Sequence, residues 1–134
     1  MKFQIPMHTV SEANQREHWA RKAERVAEQR GTIRLVCRTH FGAPPALPVV
    51  VCLTRVSPGT LDDDNLRASC KAVRDGIADY LGTNDRNPGI DWQYGQEHPP
   101  KLPRRRKGAP KAPRGPRFWV RVEMVVRHET GVEP

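Results

Sequence analysis

Residues 61–65 are LDDDN, with Asp62, Asp63 and Asp64 side by side and Asn65 behind them. Three adjacent carboxylates repel one another, so something must compensate: a helix N-terminus, a nearby cation, or a metal ion. The plainest role for an Asp ahead of a helix is a cap, because it answers orphan N–H groups and the helix dipole. One cap does not need three acids, however. Clustered hard oxygen donors suit Mg²⁺ or Mn²⁺. The five histidines, at 8, 18, 40, 98 and 128, are scattered and do not suggest a zinc set. There is no Gly-rich phosphate loop, which argues against an NTPase. No Ser-His-Asp or Cys-His signature is visible.

The acids open a predicted helix over 63–81. Leu66, Cys70, Val73, Ile77 and Tyr80/Leu81 give it a core stripe, and Gly82 stops it. With Leu66 set toward the core, Asp64, Lys71 and Asp75 fall at about 160°, 140° and 180°, on one outward stripe. Arg67 lies at its edge. Asp62 and Asp64 are two apart in a segment just leaving a strand, so their side chains can share one side. Asp85 belongs to the polar loop TNDRNPG that follows the helix. Spacing alone does not say whether that loop returns to the acids.

Other elements must position these residues. KFQIPM (2–7) is a predicted strand ending near Pro6, and 12–30 a helix that Gly31 can stop. TIRLVCRT (32–39) alternates and holds β-branched residues, which predicts a strand. LPVVVCLTRVS (47–57) is the most apolar strand candidate and the expected centre of a sheet. IDWQYGQE (90–97) and RFWVRVEMVVRHE (117–129) alternate as strands. In the latter, Phe118, Val120, Val122, Met124 and Val126 share one face. The order β-α-β-β-α-β-β predicts an α+β fold, a small mixed sheet with two main helices packed on one face.

At 134 residues the chain is expected to be one domain. Cys37, Cys52 and Cys70 are odd in number and form no C-x-x-C, which favours free thiols in a reducing compartment. No apolar run is long enough for a membrane span and no signal-peptide h-region is read, so a cytoplasmic, nucleoid-associated protein is expected. The net charge is +8, and its excess is localised. Between residues 98 and 117 stand Lys101, Arg104, Arg105, Arg106, Lys107, Lys111, Arg114 and Arg117, with no acid and six prolines. The rest of the chain holds 15 residues of each sign. The composition predicts a flexible insertion without helix or core, suited to gripping phosphates without reading bases.

LDDDNLRASCKAVRDGIADYLG, followed by a polar loop with Asp85, resembles the RusA family of Holliday junction resolvases, common in phages and prophages. That family opens a helix with an acidic D-x-D-N pattern and carries a third aspartate in the loop after it. The matching positions here are Asp62, Asp64, Asn65 and Asp85. ANQREHWARKAERV resembles the N-terminal Asn-containing loop and helix of phage members. The resemblance covers most of residues 1–128 and departs at one point. The family's lysine one turn after the acidic pair is Ala68 here, with Arg67 beside it and Lys71 the nearest lysine.

The resemblance implies a homodimer that cleaves branched DNA with Mg²⁺ or Mn²⁺ held by Asp62, Asp64 and Asp85. Lys71, or Arg67 in its place, would balance charge on the scissile phosphate. The expected function is thus a metal-dependent endonuclease acting on four-way junctions, with Arg67 and the basic segment contacting DNA. The competing expectation is a non-catalytic basic nucleic-acid-binding protein of phage or ribosomal type, which has no use for clustered aspartates. A third is a metal-dependent enzyme acting on nucleotides or RNA.

Overall fold

A computed structural model describes residues 1–9, 18–100, 106–110 and 117–127. Seven elements follow one another: β1 (Lys2–Pro6), α1 (Trp19–Phe41), β2 (Val49–Val56), α2 (Asp63–Ser69), α3 (Lys71–Leu81), β3 (Ile90–Glu97) and β4 (Trp119–Val126). The strands form one mixed sheet in the order β1-β4-β2-β3. β4 pairs antiparallel with both β1 and β2, while β2 and β3 run parallel, Val49 opposite Ile90 and Val56 opposite Glu97. A parallel pair needs a crossover, and α2–α3 supply it. The α+β class holds.

Strand parity sets the core. Val49, Val51 and Leu53 of β2, Val120, Val122 and Met124 of β4, Phe3 of β1 and Ile90 of β3 are buried on one sheet face. Ile33, Cys37, Leu66, Cys70, Val73, Ile77 and Tyr80 of the helices cover that face. The opposite face carries Lys2, Gln4, Gln93, Glu123 and the half-exposed Val125. The alternation expected for 117–129 is thus seen through Val126. No helix among the described residues is long and apolar enough to cross a membrane. All three cysteines are free.

Three expectations are corrected. The strand at 32–39 does not exist, because α1 runs straight through Gly31 to Phe41. Ile33, Leu35 and Cys37 alternate as a strand would, but Ile33 and Cys37 are also one helical turn apart. Burial decides between the two: Ile33 and Cys37 are fully buried, whereas Leu35 is 67% exposed. Consequently the order is β-α-β-α-α-β-β with four strands, not β-α-β-β-α-β-β with five. The helix expected over 63–81 is broken at Cys70, whose φ of −91° and ψ of 2° separate α2 from α3. The Ser69 hydroxyl donates to Leu66 O at 2.7 Å, the kind of side-chain competition that bends helices. The start of the helix expected from residue 12 lies outside the described residues. So do 101–105 and 111–116 of the basic segment and the end of the strand expected to reach 129.

Gly76 explains why α1 continues. A Cβ at that position would lie 2.6 Å from Arg30 O and 2.9 Å from Ile33 Cβ, so α1 crosses α3 with its backbone against the glycine. Arg30 fastens the crossing, its Nη2 donating to Asp79 Oδ1 at 2.7 Å. Gly76→Ala should gain about 1 kcal/mol of helix propensity and lose about 1–3 kcal/mol to overpacking. Urea unfolding should show a net loss of stability. A stability equal to or above that of the native chain would mean that the helices part without cost.

Candidate active site

The carboxyl ends of β2 and β3 lie together, and the chain leaving β2 is tied to β3 at several points. Ser57 N–H donates to Glu97 O at 3.1 Å. Gln96 clamps Leu61 on both sides, its Nε2 donating to Leu61 O at 2.6 Å and its Oε1 accepting from Leu61 N–H at 3.0 Å. His98 Nδ1 donates to Ser57 O at 3.1 Å, which leaves Nε2 to accept from the Thr60 hydroxyl at 3.2 Å. The residue immediately before Asp62 is therefore held by the sheet.

Asp62 is the N-cap of α2, its Oδ1 accepting from Asn65 N–H at 2.9 Å. Asp63 and Asp64 occupy the first turn. The helix dipole thus supplies part of the compensation that the acidic run requires, about 0.3–1 kcal/mol per exposed acid. All three aspartates are exposed, and no ion pair to a cation is formed by any of them among the described residues.

Asp85 sits in a different electrostatic setting. Trp92 Nε1 donates to the Asp85 carbonyl at 2.9 Å, and this bond folds the loop after α3 back onto β3. The Asp85 carboxylate then meets α3. Lys71 Nζ donates to its Oδ2 at 2.8 Å and to Asp75 Oδ1 at 3.1 Å. Arg74 Nε lies 3.0 Å from the same Asp85 oxygen, an ion-pair contact without hydrogen-bond alignment, while its Nη1 donates to Tyr94 Oη at 2.7 Å. The Arg67 guanidinium stands 5.6 Å from the centre of the Tyr94 ring, a cation–π contact. The hydrogen bond from Lys71 holds the Asp85 carboxyl below the usual carboxylate range despite partial burial, with the charges of Lys71 and Arg74 adding to it. Burial works against the charge of Lys71, but its bonds to Asp85 and Asp75 outweigh this and raise its pKa.

The structure therefore joins Lys71 to both Asp85 and Asp75, and Arg74 to Asp85 and Tyr94. Asp62 and Asp64 stand apart from this network at the start of α2. Among the described residues, no three His, Cys, Asp or Glu side chains are grouped to hold a metal ion. The donor chemistry at Asp62 and Asp64 fits a hard divalent cation, since both offer exposed oxygens and Asp62 uses one oxygen for the cap. Asp85 as placed is already matched by two cations. Arg74 escaped the sequence reading, although it follows Lys71 by three residues on one helix face. Trp92 and Tyr94 pack against the core. Of the basic segment, Arg106 and Lys107 are exposed and Arg117 is half-buried, while Lys101, Arg104, Arg105, Lys111 and Arg114 lie outside the described residues.

No protein-family model matches the chain. An uncharacterized protein of Xylella fastidiosa (strain Temecula1 / ATCC 700964) is 39% identical over 82 residues, covering 54% of this chain and 52% of that protein. The match thus spans about half the length of each.

The ion pairs of Asp85 have a consequence for acid stability. A carboxylate whose native pKa is depressed stabilises the fold fully above its unfolded value of about 4, and that contribution is lost as pH falls through the native value. In Lys71→Met, the Asp85 pKa followed by carbonyl NMR should rise toward the ordinary value. Thermal unfolding should then lose part of its decline below about pH 4. An unmoved Asp85 titration would assign the depression to Arg74 instead.

Proposed function

We propose that the chain is a divalent-metal-dependent endonuclease acting on branched DNA such as four-way junctions. The observation that carries this reading is the exposed acidic start of α2, unpaired among the described residues and borne on a loop that Gln96 and His98 fix to the sheet. A helix cap alone does not require three acids or such rigid support. Asp62 and Asp64 are the residues that would hold the ion, with Asp85 joining them once Lys71 and Arg74 release it. The ion would stabilise charge on the scissile phosphodiester and make water a stronger nucleophile.

The chain's own cations have separate roles. Lys71 and Arg74, once they release Asp85 and with Asp75 and Tyr94 still holding them, would turn positive charge toward a bound phosphate. Arg67, spread over Tyr94, extends this cationic edge onto α2. The basic segment between β3 and β4, of which Arg106 and Lys107 are exposed, adds contacts of steep salt dependence. A homodimer would present two such sites to symmetric strands of a junction.

One observation favours a second reading. Asp85 is fully countered by Lys71 and Arg74, as in a purely structural network, and this suits a non-catalytic nucleic-acid-binding protein. Asp64→Asn separates the two, because Asn preserves size and leaves the Asp62 cap in place but removes a ligand charge. The endonuclease reading expects cleavage of a four-way junction to fall by at least about a hundredfold. Junction binding in EDTA should be equal or tighter, and the melting temperature unchanged or higher. Cleavage at the native rate would refute the role of Asp64, and a native protein that binds junctions without cleaving them would support the second reading.

A further inference from the structure

The carboxyl end of β2 carries a second feature that the acidic site does not use. Arg55 follows Leu53 on the inward parity of β2 and is only 7% exposed. A buried guanidinium ordinarily has a carboxylate partner, because desolvating an unpaired charge is costly. Among the described residues Arg55 has none: Nε donates to Thr9 O at 3.5 Å and Nη1 to Gly59 O at 3.1 Å. Two backbone carbonyls leave most of its five N–H donors unused. Thr9, against which it lies, is itself 2% exposed, and its hydroxyl has no hydrogen-bond partner among the described residues.

The electrostatics agree with this geometry. Burial draws the Arg55 pKa down, and the neighbouring Cys70 offsets this only in part. The imidazole of His8, next to Thr9, is held below its ordinary value first by burial and then by the charges of Arg55 and Arg25. The charge of Arg55 thus reaches the imidazole of His8. Above it the turn of Pro58, Gly59 and Thr60 is exposed and its residues are small, and Gly59, which accepts from Arg55, lies three positions before Asp62.

We propose that Arg55, with the Thr9 hydroxyl and the turn at Gly59 and Thr60, forms an anion subsite that takes a backbone phosphate of nucleic acid beside the acidic start of α2. A phosphate matches the guanidinium fork and accepts from a hydroxyl as well. It supplies the negative charge that the fold withholds from Arg55. The subsite rests on the endonuclease reading only in naming nucleic acid as the source of the phosphate. Its position gives Arg55 the task of registering the strand so that a neighbouring phosphodiester reaches Asp62 and Asp64.

The test is NMR of the full chain without divalent metal. The Arg55 Nε–H signal is assigned by its loss in Arg55→Lys, then followed during titration with inorganic phosphate and, separately, with a short DNA duplex. Both should shift it saturably together with the Gly59 amide. Phosphate should also raise the His8 pKa, because an anion offsets the Arg55 charge. Arg55→Lys, which keeps charge but loses the fork, should weaken phosphate binding about tenfold. An Arg55 signal that neither ligand moves, while exposed α1 arginines respond, would overturn the subsite. A response to phosphate but not to duplex would overturn nucleic acid as its source. Cleavage is measured apart from these titrations, so a protein whose Arg55 binds both ligands yet cuts no junction keeps the subsite and loses the endonuclease reading.

Discussion

The register of β2 is the constraint on which the rest of the molecule depends. With β3 parallel on one side and β4 antiparallel on the other, β2 has no freedom to slip, since a shift of one residue would turn its whole apolar set outward. The parity that buries Val49, Val51 and Leu53 also turns Arg55 inward. The same pairing ends β2 beside Glu97, so the outgoing chain meets His98, which holds Ser57 and Thr60, and Gln96, which fixes Leu61 ahead of Asp62. Core and candidate site are therefore two consequences of one register.

Opposite charges are kept close but not fully merged. The acids at 62–64 are eased by the start of α2, Asp85 by Lys71 and Arg74, and Arg55, among the described residues, by the carbonyls of Thr9 and Gly59. Each arrangement is stable without a ligand, yet two leave charge for one: anionic oxygen at the helix start and a cation at the strand end. A protein that handles a phosphodiester with a divalent ion needs both signs in reach of each other, because the ion and the phosphate demand opposite partners.

Much of this was legible in the sequence where one pattern dominated. The strand at 49–56 follows from its apolar run and those at 90–97 and 119–126 from alternation, and the projection that set Lys71 on the outward stripe with Asp75 agrees with their ion pair. Residues 32–39 were ambiguous, since Ile33 and Cys37 satisfy both a two-residue and a four-residue repeat. The contact that decides it, α1 against Gly76, lies more than forty residues away in sequence. The return of Asp85 to Lys71 depends on the Trp92 indole holding the Asp85 carbonyl, and no spacing rule contains that bond. Arg55 is the charged member of an inward series at 49, 51, 53 and 55, where polarity argues for the outer face and strand parity for the inner one.

The central claim is that the acidic start of α2 performs metal-dependent cleavage of branched DNA. The most direct measurement incubates the native chain with a labelled four-way junction, a linear duplex and a single strand, each with Mg²⁺ and with EDTA. The account expects paired nicks in the junction with Mg²⁺, none with EDTA, and far slower cutting of the other two substrates. Tight junction binding with no cleavage under Mg²⁺ or Mn²⁺ would contradict it.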